Sequence, residues 1–162
     1  MTQGSIRHAT SAADIAQARA LFEEYAAGLG VDLCFQGFAE ELATLPGAYA
    51  PPRGCLLLAG PREAANACVA LRPLPDADPP DGRVGEVKRL YVRPEARGRA
   101  LGESLARTLL DAARGAGYRE LKLDTLDWMS DARRLYARLG FRECAAYYDN
   151  PLPGVVYMAL AL

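Results

Sequence analysis

Histidine is scarce in this sequence, and the cysteines are too far apart to form a metal-binding pair. The chain of 162 residues has one histidine, His8, and four cysteines: Cys34, Cys55, Cys68 and Cys144. Zinc sites are built from closely spaced cysteine and histidine ligands, so this distribution excludes the usual zinc motifs. We therefore expect no bound metal, and we expect the cysteines to be reduced thiols.

The sequence also lacks a long apolar run and an excess of either charge. No stretch approaches the roughly 20 apolar residues of a membrane-spanning helix, and the first ten residues contain no apolar core of a signal peptide. Nineteen basic residues oppose 20 acidic ones, and the net charge of -1 argues against a general nucleic-acid binder. These absences predict a cytoplasmic protein that binds neither a membrane nor nucleic acid.

The composition is typical of a folded domain. Hydrophobic residues make up 51% of the chain and charged residues 24%, which is ordinary for a globular protein. A chain of this length can bury a core of its own, so we expect residues 1–162 to form a single domain. All basic residues other than Lys88 and Lys122 are arginine. With the high alanine and glycine content, this bias favours a GC-rich bacterial genome.

Hydrophobic periodicity predicts a mixed α/β domain. Strands are predicted over residues 5–9, 55–59, 67–74, 84–92, 118–125, 142–147 and 155–160. Helices are predicted from Ser11 to Ala27, over 38–45, from Leu101 to Gly115 and from Ala132 to Leu139, with Gly28 and Gly30 ending the first. Residues 75–82 are predicted to be a loop.

Strict alternation along the strand 84–92 predicts which side chains share a face. Glu86 and Lys88 are expected on one face, and Arg89 and Tyr91 on the other.

The turn after this strand, residues 97–102, has the sequence Arg-Gly-Arg-Ala-Leu-Gly. Small residues at a helix start leave backbone N–H groups uncrowded, and the helix dipole and two arginines add positive charge. Such a turn suits a phosphate or pyrophosphate, although a plain turn with solvated arginines has the same composition. The turn lacks the Lys-Ser/Thr of a nucleotide P-loop, and the chain lacks a dinucleotide fingerprint near its first strand.

This part of the chain resembles the GNAT family of N-acetyltransferases. The family's acetyl-CoA motif, Gln/Arg-x-x-Gly-x-Gly/Ala, is matched from Arg97 to Gly102 after a strand that stops before Pro94. Residues 136–141, Tyr-Ala-Arg-Leu-Gly-Phe, are similar to the family's "LY…GF" helix end. The resemblance implies a single-domain α/β fold whose mixed, mostly antiparallel sheet has about seven strands flanked by about four helices.

The resemblance implies acetyl-CoA as co-substrate. The strand end would pair with the pantetheine arm as an added strand does, and the backbone amides of the turn would hold the pyrophosphate. The residues implied in acetyl-CoA binding are Leu90, Tyr91, Val92, Arg97, Gly98, Arg99, Ala100, Leu101 and Gly102.

The match departs from the family pattern at two positions. Ala100 stands where glycine is usual, which is tolerable if its φ is negative. Met129 stands where many members carry asparagine, so one hydrogen bond to the pantetheine arm is expected to be missing.

The implied reaction is direct transfer of the acetyl group to a primary amine of a small molecule or protein, in a ternary complex. Glu86 lies where many members place a general base, and Tyr136 where the family's general acid lies. From the residues alone, an ion-paired strand glutamate and a buried core tyrosine would look the same. The resemblance also makes four aromatic residues candidates for the acceptor cleft: Tyr25, Phe35, Tyr147 and Tyr148.

Two other classes of function compete with this enzyme. A GNAT-like module could bind acyl-CoA without turning it over, as a sensor or regulatory subunit, but the presence of both Glu86 and Tyr136 favours the enzyme. A nucleic-acid-binding α/β module is disfavoured by the net charge and by the lack of an aromatic and basic strand motif. Dimers are common in the family, so a homodimer is among the expectations.

Overall fold

Seven strands and four α-helices are present in the residues that this computed structural model describes, 5–74, 76–77 and 81–162, with the backbone alone at Phe35. The strands are β1 (Ile6–His8), β2 (Cys55–Ala59), β3 (Ala67–Pro73), β4 (Val84–Val92), β5 (Glu120–Leu126), β6 (Arg142–Glu143) and β7 (Val155–Ala161). The α-helices are α1 (Ala12–Leu29), α2 (Phe38–Thr44), α3 (Leu101–Gly115) and α4 (Ser130–Arg138).

The strands form one sheet in the order β1-β2-β3-β4-β5-β7-β6. Adjacent strands in this sheet are antiparallel, except for β4 and β5, which run parallel. The sheet has seven strands, as expected, and the predicted mixed, mostly antiparallel α/β fold is confirmed. None of the described helices is both long and apolar enough to cross a membrane.

Both faces of the sheet are covered, which explains the continuous apolar run of β2. Leu57 belongs to the buried cluster beneath α3, where it meets Leu105. Its neighbours Leu56 and Leu58 belong to the cluster beneath α1, together with Phe22. Successive side chains of a strand point to opposite faces, so a strand between two helical layers needs apolar residues at every position.

The predicted element boundaries are close to the observed ones, with two corrections. α1 continues through Gly28 and ends at Gly30, whose φ of 66° is the left-handed conformation typical of a helix end. The strand predicted over 142–147 stops at Glu143. Beyond it, the rings of Tyr147, Tyr148 and Tyr157 cluster, and the Tyr157 hydroxyl donates to the Tyr148 carbonyl at 2.8 Å. The predicted loop over 75–82 lies largely outside the described residues.

A β-bulge in β4 overturns the predicted alternation of its side chains. The register with β3 shifts between Cys68 and Ala70, and Arg89 has a φ of 61°. Lys88 Nζ and Arg89 Nη1 therefore both donate to Gln36 Oε1, at 3.2 and 2.8 Å. An extra residue in a strand breaks the two-residue period, so Arg89 shares the α1 face with Lys88 instead of facing away.

Tyr91 also lies on this face, where it packs against the cluster beneath α1. The prediction that Arg89 and Tyr91 face away from Glu86 was therefore wrong.

β4 and β5 part where their short parallel pairing ends. The two strands pair only from Val84 to Glu86, against Glu120 to Lys122, although both continue further. The Arg93 N–H donates to the Asn66 carbonyl on the β3 side. Backbone groups alternate in direction along a strand, so those of Leu90 and Val92 face the gap between β4 and β5.

Candidate active site

A cleft opens in the gap between β4 and β5 and reaches both faces of the sheet. We call it the central cleft; it is narrow and partly open to solvent. Its lining comprises Tyr25, Leu29, Leu33, Gln36, Val87, Lys88, Arg89, Leu90, Asp124, Thr125, Leu126, Met129, Tyr136, Asn150 and Leu152. Side chains from α1, α4 and both strands thus converge on one space.

The turn from Arg97 to Gly102 lies beside the end of β4, at the start of α3. Arg97 Nε donates to the Val92 carbonyl at 3.0 Å, and the residues from Arg97 to Ala100 are exposed. No side chain caps α3 at this end. The first N–H groups of a helix have no partner within it, so they are free to bind an anion here.

Ala100 does not keep the negative φ that was expected of it. Its φ is 56° and that of Gly98 is 80°, so both lie in the left-handed region. The two residues together turn the chain from the 3-10 turn after β4 (Pro94–Ala96) into α3. Alanine pays a steric cost in this conformation that glycine does not.

Packing within the chain does not require glycine at position 102. A Cβ built there would lie 3.6 Å from Val92 Cγ2 and 3.7 Å from Leu135 Cδ2, which are ordinary contacts. A glycine at a helix start instead leaves the backbone open to a ligand. The turn therefore fits the diphosphate of a coenzyme A molecule.

Tyr136 reaches the central cleft from α4, with its ring edge against Phe141 at 5.8 Å between centroids. The side chain is buried, and burial raises its pKa, with the charges of Tyr25 and Asp124 adding to the effect. A tyrosine whose pKa is raised keeps its proton at neutral pH. At neutral pH the hydroxyl therefore carries its proton and can donate a hydrogen bond to a group in the cleft.

Glu86 is fully buried at the last paired position of β4, opposite Lys122. Its Oε1 accepts from Arg72 Nε at 2.8 Å, and its Oε2 accepts from the Tyr147 hydroxyl at 2.6 Å. Both carboxylate oxygens are thus occupied. Glu86 is not among the residues that line the central cleft, which opens just beyond it.

A polar network that was not predicted from the sequence lies at the opening of the gap. Asp124 Oδ2 accepts from the Tyr148 hydroxyl and from Asn150 Nδ2, and Gln36 Nε2 donates to the same hydroxyl at 3.1 Å. Lys88 Nζ lies 3.9 Å from Asp124 Oδ1. Asp124 carries no distinctive signal in the sequence, because Glu120 and Lys122 are charged residues on the same face of β5.

Burial is the main cause of a lowered pKa at Lys88. The charges of Arg89 and Arg72 also lower it, while those of Glu86 and Asp124 oppose the shift. A buried lysine surrounded by charges of both signs is unusual in a cleft, and groups with shifted pKa values cluster at functional sites.

The predicted aromatic candidates occupy different places. Tyr25 lines the central cleft, Tyr148 binds Gln36 and Asp124, and Tyr147 binds Glu86. The side chain of Phe35 lies outside the described residues. Met129, the residue before α4, lines the cleft, with its sulfur 3.7 Å from Thr125 Oγ1.

The sequence model of the Acetyltransferase (GNAT) family matches residues 18–141. The chain belongs to the GNAT family. An uncharacterized N-acetyltransferase of Schizosaccharomyces pombe is 41% identical over 152 residues, covering 92% of this chain and 89% of the relative. The sequence resemblance and the assignment to an acyltransferase enzyme are confirmed.

Solved structures share the fold of this GNAT chain. An acetyltransferase of Streptococcus agalactiae matches with a TM-score of 0.78 at 18% identity, over 100% of both chains. An acetyltransferase-type protein of Salmonella typhimurium, solved with its cofactor acetyl-CoA, matches with a TM-score of 0.68 at 20% identity, over 99% of this chain and 94% of that one.

Within residues 5–74, 76–77 and 81–162, no group of three or more His, Cys, Asp and Glu side chains is placed to hold a metal ion. The cysteines are free: Cys55 and Cys68 are buried, Cys34 is exposed and Cys144 is half-buried.

Proposed function

We propose that this protein transfers the acetyl group of acetyl-CoA directly to a primary amine, of a small molecule or a protein, within a ternary complex. The observation that carries the proposal is the central cleft. It passes through the sheet, so Tyr136 on the α3–α4 side and Asp124 and Lys88 on the α1–α2 side line the same space. Two substrates can therefore meet from opposite faces.

Acetyl-CoA is proposed to supply the thioester and to bind along the gap. The backbone edge of Leu90 and Val92 that faces the gap would pair with the pantetheine arm, as an added strand does, with Arg97 releasing the Val92 carbonyl and Tyr91 packed towards α1. The turn would hold the pyrophosphate through the backbone amides of Arg97, Gly98, Arg99, Ala100, Leu101 and Gly102. The open N-terminus of α3 and the exposed arginines support this placement.

Tyr136 is proposed to protonate the departing thiolate. Its hydroxyl is protonated at neutral pH, as that of any ordinary tyrosine is, and burial raises its pKa further. The same desolvation makes a thiolate that forms in the cleft more basic, which favours transfer of the proton to sulfur.

Glu86 is proposed as the proton acceptor for the amine. Arg72 and Tyr147 occupy its oxygens, so the proton would reach the carboxylate through the Tyr147 hydroxyl, which already donates to Oε2. This arrangement keeps the charged base behind the cleft wall, where Arg72 neutralises it.

Location and assembly belong to the same proposal. The free cysteines support a reducing compartment such as the cytoplasm. A homodimer, a bacterial source and the absence of membrane and nucleic-acid partners stay predictions.

The test is release of the coenzyme A thiol from acetyl-CoA, followed with a thiol reagent over a panel of primary amines. We expect release that depends on the amine and matches the acetylated amine one for one by mass spectrometry. Tight binding of acetyl-CoA with no release for any amine would instead favour an acyl-CoA-binding sensor.

A further inference from the structure

We propose that Asp124 binds the ammonium group of the acceptor, and that the leucines of the same cleft select an amine with an uncharged, apolar body. The inference rests on the proposed acetyltransferase function and names the chemistry of its acceptor. Asp124 is a largely buried carboxylate, and its two oxygens differ in their hydrogen-bond partners.

One oxygen of Asp124 is fixed and the other is available. Oδ2 accepts from the Tyr148 hydroxyl and from Asn150 Nδ2 at 2.9 Å. Within the described part of the chain, the nearest cation to Oδ1 is Lys88 Nζ at 3.9 Å, which is too far for a hydrogen bond. The side chain is only 11% exposed. An oxygen that the described residues leave without a hydrogen-bond donor is open to one from a ligand, and a substrate ammonium would supply it.

Lys88 does not take that place, because its ammonium is directed elsewhere. Nζ donates to Gln36 Oε1 at 3.2 Å. An ammonium bound at Asp124 would lie close to Lys88, whose positive charge favours loss of a proton from its neighbour. Asp124 would therefore attract the ammonium, and the charge of Lys88 would help to convert it into the neutral nucleophile.

Asp124 lies where the acceptor must enter. The strands are still paired at Glu86 and Lys122, and Asp124 is two residues further along β5, where the gap has opened. Asp124 and Tyr136 both line the central cleft. An amine held by Asp124 would thus share one space with the proposed proton donor.

Part of the cleft wall is apolar. Leu29 at the end of α1, Leu33 in the turn after it and Leu152 after β6 line the same cleft as Asp124. The charged groups on this side are cationic or already paired, since Arg89 is held by both oxygens of Glu41 at 2.9 Å. A second ammonium on the acceptor would meet leucines and like charges, and burying it unpaired is costly.

A matched pair of acceptors tests the apolar body. The compounds n-pentylamine and cadaverine have the same carbon chain and differ by one ammonium group. For the wild-type protein we expect kcat/KM to be about 10-fold or more higher for n-pentylamine, since an unpaired buried charge is costly. Equal values, or a preference for cadaverine, would overturn the apolar-body selection.

The variant Asp124→Asn tests the docking carboxylate. We expect the KM for n-pentylamine to rise about 10-fold or more, the usual cost of losing a hydrogen bond to a charged group, with the Kd of acetyl-CoA unchanged. The asparagine oxygen can still accept from Tyr148, which preserves the fold. Glu120→Gln, a carboxylate on the same face of β5 that does not line the cleft, is the matched control and should leave KM unchanged.

A second variant, Tyr148→Phe, keeps the carboxylate and removes one donor from Oδ2. It should raise the amine KM by less than Asp124→Asn does, and it tests the site even if Asp124→Asn folds poorly. If the wild-type protein acetylates amines and neither variant changes the amine KM, Asp124 is not the docking group. If the wild-type protein acetylates no amine, the proposed function itself has failed, and this inference with it.

Discussion

At the scale of single residues, the Tyr136 hydroxyl is the group whose role is easiest to isolate. The variant Tyr136→Phe keeps the ring against Phe141 and removes only the oxygen. We predict an unchanged fold, nearly unchanged acetyl-CoA affinity and a kcat reduced about 10²-fold or more, the lower end of general-acid effects. Steady-state kinetics with a competent amine and calorimetric titration with acetyl-CoA would measure both quantities.

Tyr118 provides the matched control for this prediction. It is also buried, but its hydroxyl donates to the Arg53 carbonyl at 2.7 Å and does not line the central cleft. Tyr118→Phe should therefore lower stability without lowering kcat. An unchanged kcat in Tyr136→Phe would show that the hydroxyl takes no part in catalysis. Loss of both acetyl-CoA binding and stability would show that the role of Tyr136 is purely structural.

A second prediction at this scale concerns Glu86 and the pH dependence of the reaction. An alkylamine with a pKa near that of lysine, about 10.4, is almost wholly protonated at pH 7 and increasingly neutral above pH 9. If Glu86 takes the amine proton, Glu86→Gln should lower kcat/KM most near neutral pH and less at alkaline pH. A pH–rate profile of both proteins checks this.

The profile also separates the two carboxylates of the site. Asp124→Asn is expected to act on the amine KM, whereas Glu86→Gln is expected to change the shape of the pH profile. A Glu86→Gln profile parallel to that of the wild-type protein at every pH would make the Arg72–Glu86–Tyr147 cluster structural.

The sequence can locate a cleft residue where that residue is marked by its own neighbours, whereas its role stays a prediction. Tyr136 is such a residue, because the helical spacing of its apolar neighbours and the following Gly-Phe both mark it. Gln36, Asp124 and Asn150 carry no local mark. They meet only because a turn before α2, the middle of β5 and the segment after β6 converge on one cleft, which no spacing along the chain reveals.

At the scale of elements, the strand β4 shows the limit of periodicity. Its span was predicted correctly, because apolar content and a following proline mark its ends. Its side-chain directions were predicted wrongly, because no distinctive residue type in the sequence indicates the bulge at Arg89, where φ is 61°. The bulge directs Lys88 and Arg89 together towards Gln36, so the error fell on the functional part of the strand.

The start of α3 carries a prediction about stability. Ala100 has a φ of 56°, a conformation that costs an L-residue roughly 1–2 kcal/mol and glycine very little. Glycine loses about 0.5–1 kcal/mol through its greater freedom in the unfolded chain. Ala100→Gly should therefore raise the free energy of unfolding by up to about 1 kcal/mol, which urea denaturation would measure.

Ala116, at the other end of α3, gives the opposite expectation. Its φ of -81° is ordinary for an L-residue, so Ala116→Gly should destabilise the protein by about 0.5–1 kcal/mol. If both substitutions destabilise the protein equally, the backbone at Ala100 is not strained.

At the scale of the whole molecule, the parallel pair β4–β5 divides the sheet into two antiparallel parts joined by three paired positions. The order of elements was predictable, since each helix and strand has its own period and its own glycine or proline boundary. The parting of β4 and β5 was implied only by family resemblance, because no residue type or spacing along either strand marks it. The site lies at that parting, so binding there ties the two parts together.

This geometry predicts that acetyl-CoA stabilises the whole fold. A ligand that binds only the native state at 100 times its Kd adds about 2.7 kcal/mol. At about 2–4 °C per kcal/mol for a chain of this size, Tm should rise by roughly 5–11 °C. Gly102→Glu should abolish the rise, because its carboxylate would meet the pyrophosphate at the start of α3. The variant without ligand should be no less stable than the wild-type protein, since a negative charge suits a helix N-terminus.

Gly115→Glu is the matched control for this experiment, because it places the same charge at the opposite end of α3. No atom lies within 4 Å of a Cβ built at Gly115, so the side chain fits. A negative charge at a helix C-terminus is mildly unfavourable, so Tm without ligand should fall slightly while the acetyl-CoA shift persists. A persistent shift in Gly102→Glu would place the pyrophosphate elsewhere, whereas loss of the shift in both variants would show that added charge anywhere on α3 weakens binding.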